Sequence, residues 1–104
     1  MNQVLTKYIP MTETGCYILL SIADTPKHGY AIVQYVRAIT NERITLGNGT
    51  LYGTISKMEK DQLIHMILDN DKKKTYEITE LGRQVLLTEK ERIAQLHHIL
   101  KGVK

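Results

Sequence analysis

The 104-residue sequence has no tryptophan, no phenylalanine and one cysteine, Cys16. Six tyrosines are therefore its whole aromatic complement, which leaves little from which to build a broad stacking site. One cysteine excludes an intramolecular disulfide framework and a multi-cysteine zinc site. Cys16 lies in the apolar run C-Y-I-L-L-S-I-A and reads as a small buried hydrophobe. No apolar run approaches the roughly 20 residues needed to cross a bilayer. Residues 1–10 lack the apolar segment and small-residue cleavage site of a secretory signal, so a cytoplasmic protein is expected. The Asn48-Gly49-Thr50 sequon is then a chance match. H-E-x-x-H, the P-loop and G-x-S-x-G are all missing. Of the four histidines, His28 and His65 are isolated. His97 and His98 are adjacent, and adjacent residues do not share a helix face. No enzyme, metal site or cofactor is expected.

What is present is ordinary in bulk and informative in pattern. Hydrophobic content of 42% and charged content of 24% suit one soluble domain with a modest core. The net charge of +3 permits a polyanionic partner without requiring one, so phosphate contacts must come from local clusters. There is no internal repeat and no low-complexity segment.

Residues 1–10 read as a short arm. Thr12 is a plausible N-cap for a first helix carrying the stripe Cys16, Leu19, Leu20 and Ala23. Tyr17, Ile18 and Ile22 widen that stripe, so the helix is either central or covered by another protein surface. Pro26 stops it. A second helix begins around Lys27-His28-Gly29-Tyr30, with Ile32, Val33, Val36 and Ile39 at helical spacing up to Thr40. Residues 43–46 alternate and suggest one short strand.

Residues 46–64 organise the rest. Asn48-Gly49 is a hairpin signal, but a hairpin needs alternation on both sides, and from Thr50 onward the period is helical. A third helix is therefore expected over roughly 48–61. Leu51, Ile55 and Met58 share one face, while Tyr52, Thr54, Ser56 and Lys57 lie largely off it. The small residues at its start leave first-turn N–H groups open, a setting suited to phosphate.

Residues 64–69 are β-rich, Asn70-Asp71-Lys72 is a turn cluster, and residues 73–78 resume alternation. The result is a hairpin with Lys72, Lys73 and Lys74 at its tip or return strand. Thr79 caps a last helix over roughly 80–101. Leu81 and Val85 can return to the core, while Leu86, Ile93, Leu96, Leu100 and Val103 are spaced like a coiled-coil seam. A second copy of the chain is the economical cover for that seam.

Helix, helix, short strand, helix, hairpin is the order of a winged helix-turn-helix. The expected class is α+β, mainly α: three helices and a β-hairpin wing, followed by a long C-terminal dimerisation helix. Residues 1–78 would form the DNA-binding domain and residues 79–104 the dimerisation helix. A lysine triplet alone is most often a solvated charge run; its coincidence with the hairpin and a polar-faced helix favours DNA.

The chain also resembles the PadR family of bacterial transcriptional regulators. The resemblance is carried by T-E-T-G-C-Y-I-L-L-S-I-A, P-K-H-G-Y-A-I, G-T-L-Y followed by I-S-K-M-E-K-D-Q-L-I, and K-K-T-Y-E-I-T-E-L-G-R. It implies a homodimeric winged-helix repressor of the short class, binding a pseudo-palindromic operator. Gln62 stands where the family typically carries glycine. Under this resemblance Asn48, Thr50, Tyr52, Gly53, Thr54 and Lys57 face the groove or its rim, and Gly49 permits close approach of the backbone. Tyr52 is either a phosphate donor or a packed ring. Tyr30 and Tyr76 are foremost structural, with a phosphate hydrogen bond as a second role. Tyr17 joins the dimer seam. Relatives are often released by an effector, and Tyr8, Met11, Tyr17 and Ile93 are the candidates for lining such a pocket. The alternative is a winged-helix module for protein interaction or ligand sensing that does not bind DNA directly.

Overall fold

The computed structural model describes residues 3–68 and 70–104. Over those residues it is a winged helix, mostly helical, with a small antiparallel sheet. In chain order the elements are α1 (Gln3–Tyr8), α2 (Glu13–Ser21), β1 (Lys27–His28), α3 (Gly29–Ile39), α4 (Asn48–Lys60), β2 (Ile64–Leu68), β3 (Lys74–Ile78) and α5 (Glu80–Leu100).

Local chemistry sets most of the boundaries. The Thr12 hydroxyl accepts the Gly15 N–H at 3.0 Å, and the Thr79 hydroxyl accepts the Gly82 N–H at 3.0 Å. Each such cap stabilises its helix by about 1 kcal/mol. Thr79 Oγ1 also donates to the Gln62 carbonyl at 2.7 Å, which ties the start of α5 to the end of α4. Gly82 is required there, because a Cβ would collide with the Leu63 carbonyl. Helix α4 closes with two bonds, Leu63 N–H to Met58 O at 2.8 Å and Gln62 N–H to Glu59 O at 3.0 Å. That is a Schellman ending, and it puts Gln62 in the left-handed region at φ 65°. Helix α3 ends in the same way, with Asn41 at φ 51° and Glu42 at φ 65°.

The core is a single cluster. Ile18, Leu19 and Ile22 from the α2 region meet Ile32 and Val36 of α3, Leu51, Ile55 and Met58 of α4, and Val85 of α5. Leu63, Ile64 and Tyr76 bring in the sheet. The α4 stripe buries as its spacing requires, but the expected stripe of α2 does not. Of Cys16, Leu19, Leu20 and Ala23 only Leu19 is buried and Leu20 is exposed, because the packed face runs through Ile18, Leu19 and Ile22 instead. In α3 Ile32 and Val36 are buried while Ile39 is exposed, and early in α5 Val85 is buried and Leu81 half-buried. The hairpin register pairs Ile64 with Ile78, Met66 with Tyr76 and Leu68 with Lys74.

Two local expectations are corrected. Residues 1–10 are not only an arm, since residues 3–8 form a helix. Residues 43–46 form no strand. Their alternation reports burial, with Leu46 buried and Ile44 half-buried between exposed Arg43 and Thr45. The third strand is instead β1, which pairs Lys27 with Tyr76 and His28 with Thr75 along the other edge of β3. The wing is thus anchored on one side by the segment leading into α3.

Candidate nucleic-acid interface

Helix α4 divides cleanly. Its stripe Leu51, Ile55 and Met58 is fully buried. At about 3.6 residues per turn the opposite face carries Gly49, Gly53, Ser56, Lys57 and Lys60. All five are exposed. Among the described residues, nothing beyond the helix's own backbone and the neighbouring residues lies within 4 Å of where a Cβ would stand on Gly49 or Gly53, so that surface is open to a close-approaching ligand. Asn48 and Thr50 are exposed at its start. Gly47 is the N-cap and makes no side-chain cap. Ser56 and Lys60 were not among the residues expected to face DNA, although the same helical period that buries Leu51 places them on this outward face.

The flanks of α4 differ from its outward face. Tyr52 is half-exposed and its hydroxyl end packs over Gly29, where any side chain would collide with it. Tyr76 is buried, and burial raises its hydroxyl pKa, with Glu59 and Tyr52 nearby as further causes. Tyr30 is exposed. Thr54 is half-buried and, with Gly53 and Lys57, lines a crevice of about 270 Å³ between α4 and the N-terminal segment. On the wing, Lys72, Lys73 and Lys74 are all exposed, and Lys72 takes the left-handed turn position at φ 61°.

The N-terminal helix holds the far end of α4. Asp61 accepts hydrogen bonds from Lys7 Nζ at 2.8 Å and from the Tyr8 hydroxyl at 2.7 Å. A carboxylate at a helix C-terminus opposes the macrodipole, so these two donors offset an unfavourable placement. The Lys7 ammonium, followed by the Tyr8 hydroxyl, holds the Asp61 carboxyl below the usual carboxylate range. Burial, and then the bond to Asp61, pushes the Tyr8 phenol well above its ordinary value. Lys57 lies 5.6 Å from the Tyr8 ring centroid, a cation–π distance. Nothing in the periodicity of residues 1–10 signals this clamp.

A second concealed contact lies on α5. Glu89 is buried to 1% exposure. It takes Arg92 Nε at 2.5 Å and Nη2 at 3.0 Å, and accepts the Met11 N–H at 2.9 Å. Arg92 is the first cause holding the Glu89 carboxyl below its ordinary value. Glu89 thus secures the N-terminal segment to the terminal helix. Beside it, Met11, Tyr17 and Ile93 line a crevice of about 310 Å³ with Cys16 and Arg92. Tyr8, expected in that group, lines the crevice against α4 instead, and Met11 borders both.

Along α5 the seam positions separate. Leu86 is half-buried, while Ile93, Leu96, Leu100 and Val103 are exposed, as are Leu87 and Ile99. Leu86, Leu87 and Ile93 line an almost wholly apolar groove with Cys16 and Leu20 of α2.

Residues 18–88 match the model of the transcriptional regulator PadR-like family, which is most of the chain. The chain belongs to the PadR-like family of transcriptional regulators. Among curated proteins it is 33% identical over 79 residues to an uncharacterized 37.1 kDa protein of transposon TN4556 from Streptomyces fradiae. That match takes in 76% of this chain and 22% of the relative, so the chain spans about a fifth of that protein's length. Among solved structures, a transcriptional regulator from Clostridium thermocellum superposes with a TM-score of 0.77 at 24% identity, covering 100% of this chain and 98% of that one. A PadR family transcription regulator from Clostridium difficile gives 0.76 at 20% identity, covering 86% and 96%. These structures share the PadR-like winged-helix fold. Among the described residues no helix is long and apolar enough to cross a membrane.

Proposed function

We propose that the chain is a sequence-specific DNA-binding regulator that acts as a homodimeric repressor in the cytoplasm. The observation that carries this is the division of α4. Its apolar stripe is committed to the core, and its outward face is polar, cationic and open over Gly49 and Gly53. Asn48, Thr50, Ser56 and Lys57 would meet base edges in the major groove, with Thr54 and Tyr52 at its rim. Lys72, Lys73 and Lys74 would contact phosphates from the wing. Tyr30 has the exposure to join them. Tyr76 is buried, which supports its structural role over a phosphate contact.

In this reading residues 1–78 present the DNA surface and residues 79–104 provide the pairing helix. Leu86, Ile93, Leu96, Leu100 and Val103, with Tyr17 beside them, would pair with a second copy. Two α4 helices would then reach successive major grooves about 34 Å apart, which calls for a pseudo-palindromic operator. A small-molecule effector fits the crevice of Met11, Tyr17 and Ile93, next to the seam that it would perturb.

A salt titration of duplex binding is the test. Counterion release predicts that log affinity falls linearly with log salt, by about 0.9 for each phosphate neutralised. An affinity indifferent to salt would remove direct DNA binding and leave a protein-interaction module.

A further inference from the structure

The wing carries more than lysines. Strand β2 is a sheet edge, and antiparallel partners share a face. One face of the hairpin therefore holds Ile64, Met66 and Leu68 together with Ile78, Tyr76 and Lys74. Exposure climbs along it, from 2% at Ile64 to 39% at Met66 and 60% at Leu68. Ile64 and Tyr76 are spent on the core beside α4; Met66 and Leu68 continue the same apolar strip past the core toward the wing tip. A solvated hairpin tip would ordinarily carry polar residues there. Here the outermost apolar residue, Leu68, stands directly opposite Lys74, and the sequence from 69 to 74, Asp-Asn-Asp-Lys-Lys-Lys, sets three lysines against two acids and is net cationic by one charge.

We propose that Leu68, backed by Met66, is an apolar wedge that enters the DNA minor groove beside the base pairs faced by α4. This rests on the DNA-binding reading above and adds a specificity-determining contact to it. The charge around the strip selects the occupant: three ammonium groups suit two phosphate rails, and between minor-groove rails lie sugar edges and base steps that an aliphatic side chain can contact or part. A second copy docking on the same face would bring two lysine triplets together. A wedge of this kind reads deformability, so it favours flexible pyrimidine–purine steps such as TA or CA at the flank over stiff ones.

The test uses the full chain, a duplex selected from a random pool, and variants of that duplex with TA, CA or GC steps at the flank. Leu68→Ser is expected to lower affinity about tenfold on the TA flank, the scale of losing one mostly desolvated leucine. It should leave the salt slope unchanged and abolish the preference among flanks. Lys74→Ala should do the reverse, lowering the salt slope by about one while keeping the flank preference. Distamycin, a minor-groove ligand, should compete with the native chain on the TA flank and leave Leu68→Ser binding unaffected. That second measurement also stands on the native chain alone, should the variant unfold. Native affinity and flank preference in Leu68→Ser would overturn the wedge while leaving DNA binding in place. Loss of all duplex binding by the native chain would instead overturn the functional reading beneath it. A changed sedimentation coefficient of DNA-free Leu68→Ser would assign this face to contact between copies and overturn the wedge equally.

Discussion

Helices α4 and α5 are both amphipathic, and they spend their two faces in opposite ways. In α4 the apolar face is buried along its whole length and the free face is polar. In α5 burial ends part-way: Gly82, Val85 and Glu89 are buried, and beyond them Ile93, Leu96, Ile99 and Leu100 are exposed. What a helix leaves uncovered identifies its partner better than what it buries. An open polar face with glycines on it suits a hydrogen-bonding polyanion, while an uncovered apolar seam suits another apolar surface.

The largest effect expected from this contrast is on α5. On the proposed seam, Ile93→Glu with Leu100→Glu should leave the chain monomeric by sedimentation where the native chain sediments as a dimer, because burying unpaired carboxylates costs several kcal/mol. An unchanged dimer would place the pairing surface elsewhere. Next is the core side of α4: Leu51→Ala should lower unfolding free energy by about 3 kcal/mol in denaturant titrations, within the usual range for a buried leucine. Leu96→Ala, on the uncovered seam, should leave the stability of the isolated monomer nearly unchanged and weaken only association. Equal losses at the two sites would erase the distinction between the helices.

The clamp on α4 has a pH signature. The folded-state pKa of Asp61 is depressed, so its contribution is full above the unfolded carboxylate value and is lost as pH falls through the folded one. Asp61→Asn should therefore flatten the acid limb of the stability–pH curve relative to the native chain, with the difference developing in strongly acid solution, between the depressed folded value and the unfolded carboxylate value, and staying constant from mildly acid pH to neutrality. A smaller effect is expected at Gln62. Its φ of 65° suits glycine, so Gln62→Gly should stabilise the chain by about 0.5–1 kcal/mol in thermal unfolding.

Most of this contrast was legible in the sequence because it is periodic. Leu51, Ile55 and Met58 declare one face, and Thr12 and Thr79 declare where helices begin. The family's motifs supported the same reading of the fold. The tertiary exceptions were not legible. Helix α1 is too short to be stable alone, and its Tyr8 is held by a carboxylate 53 positions away. Strand β1 has two residues and no alternation to announce it; the longer alternation at residues 43–46 finds no partner strand. Glu89 looks like a solvent-facing helix residue until Arg92 and the Met11 N–H converge on it. Ser56 and Lys60 were available from period alone, since both lie opposite the buried stripe.

The central claim is that a dimer presents two copies of the open face of α4 to one duplex. Selection of bound DNA from a random pool by the full chain tests it most directly. An enriched inverted repeat whose half-sites lie about one helical turn apart is expected, with recovery that weakens as salt rises. Enrichment of a single unrepeated half-site, or of no sequence at all, would contradict it.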